Sequence, residues 1–183
     1  MKSLLLSIKP KRVAKILNGK KTIEVRKRFP KDYKGWVYIY CTKEDSLIKL
    51  QETYKDRYIC EQEFKCDDFP KMYSGYEGKG KVVARFYCDR VDTIWWTLKQ
   101  ENPKDLFTKS CLSKKEIETY LNGNVGYAIH ISQLEIFDEP KELNEFKTRY
   151  YPQFVGMVKN KTHYELRQLT KAPQNFCYVE VEK

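Results

Sequence analysis

Gly19-Lys20-Lys21-Thr22-Ile23-Glu24-Val25-Arg26-Lys27 is the stretch that decides how this chain is interpreted, because it places charged side chains at fixed alternating positions. As an extended strand it sends Lys21 and residues 23, 25 and 27 to one face, and Thr22, Glu24 and Arg26 to the other. A small domain needs its strand faces for the core. Charge on both faces therefore predicts that something polar docks on this strand.

The positive charge of the chain is concentrated in the same region. The 183 residues hold 35 Lys and Arg against 25 Asp and Glu, which gives a formal net charge of +10 at pH 7. Residues 1–34 contain twelve basic and two acidic side chains, so the rest of the chain balances to zero. A field concentrated in this way attracts phosphates and other polyanions. The competing interpretation is a solvated, lysine-rich surface.

The flanking elements predict a mixed fold. Residues 4–8 are an apolar run typical of a buried strand, and a helix over residues 10–18 begins at Pro10 and ends at Asn18-Gly19. A second helix begins at Ser113, which forms a capping box with Glu116, and it turns residues 117, 120 and 121 toward the core. Further strands are predicted over residues 36–41, 80–91, 126–137, where Glu139-Pro140 ends the strand, and 176–181.

Five or six strands with two to four short helices, and no long alternation of strand and helix, predict an α+β fold built on a small mixed β-barrel. The length fits a single domain over residues 1–183. Two regions lie outside the regular pattern. Residues 44–77 are predicted to be an insertion, with a possible helix over 45–58, and residues 141–170 a C-terminal elaboration that is irregular between 150 and 170.

Several classes of function lack their motifs in this sequence. The six cysteines form no CxxC pair and no Cys/His cluster with zinc-ligand spacing, so we expect no metal and no cofactor. No P-loop, dinucleotide fingerprint or Ser-His-Asp order is present. We expect a cytoplasmic protein without a membrane segment, because the chain has neither a signal-peptide pattern nor a long apolar run.

Gly19, Lys21, Glu24 and Arg26 together spell G-x-K-x-x-E-x-R, and with the strand and helix before them they resemble the ASCH family of PUA-like β-barrels. The order of elements is similar to that of phage and bacterial members. The resemblance covers about residues 3–42, 78–138 and 171–181, so the insertion and the elaboration remain unexplained by it.

The resemblance implies a cleft that takes RNA, a nucleotide or a modified nucleoside, centred on Lys21, Glu24 and Arg26. In this interpretation Lys21 holds a phosphate or polarises a carbonyl, Glu24 accepts a base amino group or acts as a general base, and Arg26 clamps phosphate. A structural ion pair between Lys21 and Glu24 is the competing interpretation. Four further residues are expected to line the same cleft: Ser7, Lys9, Gln174 and Tyr178.

The alternative is a hydrolase that acts on RNA or a modified nucleoside, with Lys21 and Glu24 as the reacting pair. A bacterial subgroup of the family hydrolyses the amide of N4-acetylcytidine with a lysine, a threonine and a glutamate, and other members resemble ribonucleases. Lys21 matches the subgroup's lysine, but Glu24 occupies the threonine position and residues 107–112 contain no carboxylate. Binding is therefore the leading hypothesis. A weaker one is a protein partner bound through the 44–77 insertion.

Overall fold

The computed structural model describes residues 2–43, 78, 80–95, 102–151 and 164–180. The predicted helix over 45–58 and the rest of the predicted insertion lie outside these residues. In chain order the elements are β1 (Ser3–Ile8), α1 (Pro10–Leu17), β2 (Ile23–Arg26), β3 (Gly35–Cys41), β4 (Val82–Cys88), β5 (Val91–Ile94), α2 (Leu106–Ser110), α3 (Lys114–Leu121), β6 (Gly126–His130), β7 (Ser132–Lys141), a 3-10 helix (Leu143–Glu145), β8 (Lys147–Tyr150), β9 (Glu165–Gln168) and β10 (Phe176–Val179).

The described strands form three sheets. The largest has the order β10-β1-β3-β4-β7, in which β1 runs parallel to β3 and antiparallel to β10. A three-stranded sheet has the order β2-β6-β5, and β8 and β9 form a two-stranded sheet. The fold is therefore an α+β arrangement of mixed sheets with few helices, whereas closure of these sheets into a barrel stays a prediction. No helix of the described residues is both long and apolar enough to cross a membrane.

The prediction of five or six strands was wrong, because the described residues form ten. Two long predicted strands each divide into two strands that belong to different sheets: 80–91 into β4 and β5, and 126–137 into β6 and β7. The two division points lie side by side, since the His130 amide donates to the Arg90 carbonyl at 3.0 Å. Alternation of apolar residues marks extended chain, but it does not mark the residue at which a strand leaves one sheet for another.

Two predictions about the C-terminal half were also wrong. Pro140 does not end its strand, because β7 continues to Lys141. It lies at the edge of its sheet, where the missing N–H of proline is tolerated. The segment 150–170, predicted to be irregular, contains β9 and the end of β8, which pair as an antiparallel ribbon.

The core explains why the short charged strand β2 is buried on both faces. Ile23 and Val25 pack in an apolar cluster with α2, α3 and β6, and Glu24 and Arg26 point away from that cluster, as period-two alternation predicts. A second cluster packs α1 against β1 and β3. Because both faces of β2 are covered, its two charged side chains must find their partners inside the protein.

Candidate functional site

The backbone before β2 sets the position of Lys21. Helix α1 ends at Leu17, and Gly19 follows with φ +74°, a left-handed conformation that glycine adopts without strain. The Lys21 amide then donates to the Lys15 carbonyl at 2.9 Å, and the Thr22 amide donates to the Lys109 carbonyl at 2.8 Å. Lys21 therefore precedes the strand instead of belonging to it.

The prediction that Lys21 and Glu24 lie on opposite faces of a strand was wrong for this reason. The Lys21 ammonium lies 3.2 Å from Glu24 Oε2 and donates to the Ser110 carbonyl at 2.8 Å. Both side chains are 1% exposed. The pair is thus a buried ion pair at the junction of α1, α2 and β2.

Glu24 has a second cationic neighbour, because Arg26 Nε lies 2.9 Å from its Oε1. Within the described part of the chain, neither carboxylate oxygen has a well-aligned hydrogen bond, although both lie at ion-pair distance from a cation. The short distances control the strength of these interactions, since Coulomb attraction depends less on angle than a hydrogen bond does. Charge attraction therefore holds Lys21, Glu24 and Arg26 together, and we call these three residues the motif centre.

Burial and charge act in opposite directions on the motif centre. Burial raises the pKa of Glu24, but the neighbouring cations Lys21, Arg26 and Arg12 together lower it by more, so that its pKa lies below the ordinary carboxyl value. Burial lowers the pKa of Lys21, and the neighbouring Glu24 offsets only part of that change. The carboxylate is consequently ionised at neutral pH.

Arg26 links the motif centre to β1 and to the segment before β10. Its guanidinium donates to the Ser7 carbonyl at 2.6 Å and to Asn175 Oδ1 at 3.2 Å. Ser7 in turn donates through Oγ to the Pro173 carbonyl at 2.6 Å, and Asn175 Nδ2 donates to the Arg28 carbonyl at 2.8 Å. A bidentate phosphate contact by Arg26 would have to break some of these bonds. The sequence interpretation missed Asn175, although it is the residue directly after Gln174.

A cavity of about 470 Å³ opens above the motif centre. Of the predicted site residues, Ser7, Lys9, Glu24, Arg26 and Gln174 line it together. Two others do not belong to its lining in the described residues. Lys21 lies buried next to Glu24, and Tyr178 lies exposed on β10, where its ring contacts Lys2 and Phe176. The complete lining is Ser7, Ile8, Lys9, Arg12, Glu24, Arg26, Tyr40, Thr42, Lys43, Tyr120, Ala172, Pro173 and Gln174.

Three lining residues that the sequence interpretation missed supply charge and an aromatic ring. Arg12 of α1 and Lys43 after β3 are cations, and Tyr120 of α3 is half-buried. The Tyr120 ring centroid is 5.7 Å from the Arg12 guanidinium carbon and 5.4 Å from Lys27 Nζ. The charge surplus of residues 1–34 was the signal for Arg12. For Tyr120 the signal was weak, because its helical spacing placed it in the core.

The accessible chemistry of the cavity therefore differs from the predicted one. Glu24 is fully buried and Arg26 is 8% exposed, whereas Lys9, Lys43 and Gln174 are exposed. Four cations and a single carboxylate line the space among the described residues, and that carboxylate is neutralised by the motif centre. A cationic opening beside a tyrosine ring suits a ligand that combines a phosphate with an aromatic ring.

A polar contact between His130 and Asp92 lies outside this cavity. The His130 Nε2 atom is 2.7 Å from Asp92 Oδ2. In the described ranges, no three His, Cys, Asp or Glu side chains are grouped closely enough to hold a metal ion.

Comparison with known proteins identifies structural neighbours only. No protein-family model and no curated protein sequence matches this chain. The chain is similar to the crystal structure of ASCH from Zymomonas mobilis, with 15% identity and a TM-score of 0.48 over 77% of this chain and 73% of that one. A tyrosine-to-phenylalanine mutant of the same Zymomonas mobilis protein gives 16% identity and a TM-score of 0.47 over 77% and 76%.

These structures carry the name of the family that the sequence resembles. Because each identity is below 25% and each TM-score is below 0.5, the likeness identifies no ligand, activity or site residue in this chain.

Proposed function

We propose that this protein binds RNA or a nucleotide in the cavity above the motif centre. The observation that carries the proposal is the excess of cations in the lining, since its carboxylate is already paired inside the protein. Lys9, Arg12 and Lys43 are the cations for phosphate, because Arg26 is held by Ser7 and Asn175. Tyr120 offers a ring for base stacking.

In this proposal the motif centre positions the site without touching the phosphate. Arg26 holds β2 against the end of β1 and against the segment before β10. Lys21 and Arg26 neutralise Glu24, so the acid does not repel an approaching phosphate. The motif G-x-K-x-x-E-x-R would then shape the cavity, while neighbouring residues contact the ligand.

The hydrolase alternative has less support. A reacting lysine must reach the substrate, and Lys21 is buried, with its ammonium directed to Glu24 and the Ser110 carbonyl. Glu24 also has a lowered pKa, which makes it a weak base. We expect N4-acetylcytidine and single-stranded RNA to remain intact after incubation with the protein. Cleavage of either one that is lost in Glu24→Gln would favour the hydrolase.

A salt series tests the binding proposal. We would titrate a short, fluorescein-labelled single-stranded RNA and follow its anisotropy between 50 and 200 mM salt. With three phosphate contacts, the association constant should fall with a logarithmic slope of about −2. In the double variant Lys9→Ala/Arg12→Ala the slope should be about −0.7, the value for one remaining contact.

The matched control is Lys104→Ala/Lys115→Ala, which removes the same charge from exposed positions outside the cavity lining. It should bind like the unchanged protein. Circular dichroism of all three proteins checks that they are folded. RNA binding that is equally weakened by both double variants, or that does not depend on salt, would contradict the proposal.

A further inference from the structure

A second cavity adjoins the first one at the end of β3. Its volume is about 500 Å³, and it shares Tyr40, Lys43 and Ala172 with the first cavity. The 3-10 helix and the segment after β9 supply most of its remaining wall, so half of the lining belongs to the C-terminal elaboration. The remaining lining is Gly80, Glu142, Leu143, Asn144, Leu169, Thr170 and Lys171.

The floor of the second cavity is apolar and fixed by packing. Leu143, Leu169 and Ala172 pack against a buried cluster that contains Tyr40 and Phe146. The Leu169 amide donates to the Phe146 carbonyl at 2.8 Å, which attaches the segment after β9 to this cluster. Pre-formed sites with an apolar floor and a few polar groups are typical of small-molecule pockets, and each cavity falls within their usual range of about 300–1,000 Å³.

The rim of the second cavity carries exposed polar groups, namely Lys43, Asn144, Thr170 and Lys171. Its acidic residue, Glu142, has its carboxylate 3.0 Å from Lys81 Nζ, so the two charges offset each other. The two lysines of the lining therefore leave the rim positive.

Lys43 lies where the two cavities meet, and Gly80 makes room for it. A Cβ atom on Gly80 would lie 2.7 Å from Lys43 Cε, so the lysine stem passes directly over this glycine. Gly80 also has φ +77°, a conformation that other residues rarely adopt. Gly80 therefore leaves room for the Lys43 side chain at the boundary between the two cavities.

We propose that the second cavity is a subsite for the adjacent nucleotide, so that the protein takes two consecutive nucleotides of a single strand with the linking phosphate at Lys43. This inference rests on the proposed function. An apolar floor accepts one base, and Asn144 and Thr170 can exchange hydrogen bonds with its edge. Lys171 is the cation for the phosphate beyond it.

The test compares ligand lengths by isothermal titration calorimetry. We would titrate nucleoside 5′-monophosphates and the corresponding dinucleotides that carry phosphate at both the 5′ and the 3′ end, so that a phosphate lies beyond the second nucleotide. We expect the dinucleotide to bind about tenfold more tightly, a gain at the lower end of what one additional bound base gives. Two variants at exposed positions address the second cavity alone: Lys171→Ala removes its cation, and Thr170→Trp fills its space. Each should abolish most of the gain and change the affinity for the monophosphate by less than about twofold.

The charge-matched control is Lys104→Ala, which should keep the full gain. Monophosphate binding without a gain for the dinucleotide would overturn this inference and leave the proposed function standing. A gain that persists in both variants would place the second nucleotide elsewhere and would overturn it as well. If neither ligand binds, the proposed function falls together with the subsite.

Discussion

The motif centre and the β8–β9 ribbon use the same kinds of charged residues in opposite surroundings. In the motif centre, Lys21 and Glu24 are 3.2 Å apart and each is 1% exposed. In the ribbon, Arg167 and Glu165 are 3.0 Å apart, but they are 53% and 60% exposed. The distance between the charged atoms therefore does not decide which ion pair contributes more to stability. Solvent screens the ribbon pair, whereas the motif centre lies where an unpaired charge has no water to stabilise it.

The comparison also separates two uses of a charge. Within the ribbon, the Arg167 guanidinium carbon lies 3.4 Å from the centroid of the Tyr150 ring, and both residues remain open to solvent. At the motif centre, Arg26 is enclosed and joins β1, β2 and the segment before β10. The buried charges of the motif centre fix the relative positions of three chain segments, whereas the exposed charges of the ribbon lie on the protein surface.

The largest effect is expected when the buried anion is removed. Glu24→Ala leaves the charges of Lys21 and Arg26 buried without a counter-ion, so the free energy of unfolding should fall by about 3–5 kcal/mol. The control Glu165→Ala removes the anion of the exposed pair and should change it by less than about 1 kcal/mol. Urea denaturation followed by tryptophan fluorescence measures both variants.

A second variant provides the comparison if Glu24→Ala is too unstable to purify. Glu24→Gln keeps the side-chain volume and should also lower the melting temperature far more than Glu165→Gln does. Equal losses in the two glutamine variants would show that burial of the ion pair does not control its contribution, and the contrast between the two regions would be lost.

An intermediate effect on stability is expected when the pH is lowered. The pKa of Glu24 is below its ordinary value in the folded protein, so the stability from its ionised form is complete above the unfolded-state pKa of about 4.3. It is lost as the pH falls from there through the lower folded-state pKa. Within that window Glu24 should contribute a slope of up to about 1.4 kcal/mol per pH unit.

The slope is assigned by comparing variants over a pH series of urea denaturations. Glu24→Gln should show a flatter acid dependence than the unchanged protein. Glu165→Gln should run parallel to the unchanged protein, since no buried charge is involved. A Glu24→Gln profile that also runs parallel would mean that Glu24 has the same pKa in the folded and unfolded states.

The sequence predicted the site better where a local pattern and a local contact coincide. Alternation along β2 placed Glu24 and Arg26 on one face, and the capping box of Ser113 and Glu116 forms as predicted. Lys21 was misplaced because its position depends on backbone bonds to residues 15 and 109, of which the second is far away in sequence. Alternation carries no information about such contacts.

The lining of the cavity above the motif centre shows the same limit of prediction from sequence. Lys9 was predicted from its place at the end of the first strand and Gln174 from the family resemblance, and both line the cavity. Lys43 and Tyr120 were missed because the fold brings them together from the end of β3 and from α3. The second cavity was beyond prediction, since half of its lining comes from 141–170, for which the family resemblance gave no pattern.

The smallest effect is expected at the ribbon. Arg167→Ala removes both the exposed pair with Glu165 and the contact with the Tyr150 ring. The free energy of unfolding should fall by about 0.5–1 kcal/mol, because each contact is weakened by solvent. Arg167→Lys keeps the charge and loses the planar group, so its loss relative to the unchanged protein measures what ring stacking adds. When the urea denaturations are repeated at 1 M salt, only the part of the stability loss that comes from the ion pair should become smaller. A loss in Arg167→Ala as large as that in Glu24→Ala would mean that exposure does not separate the two regions, and the ribbon would then be a structural joint like the motif centre.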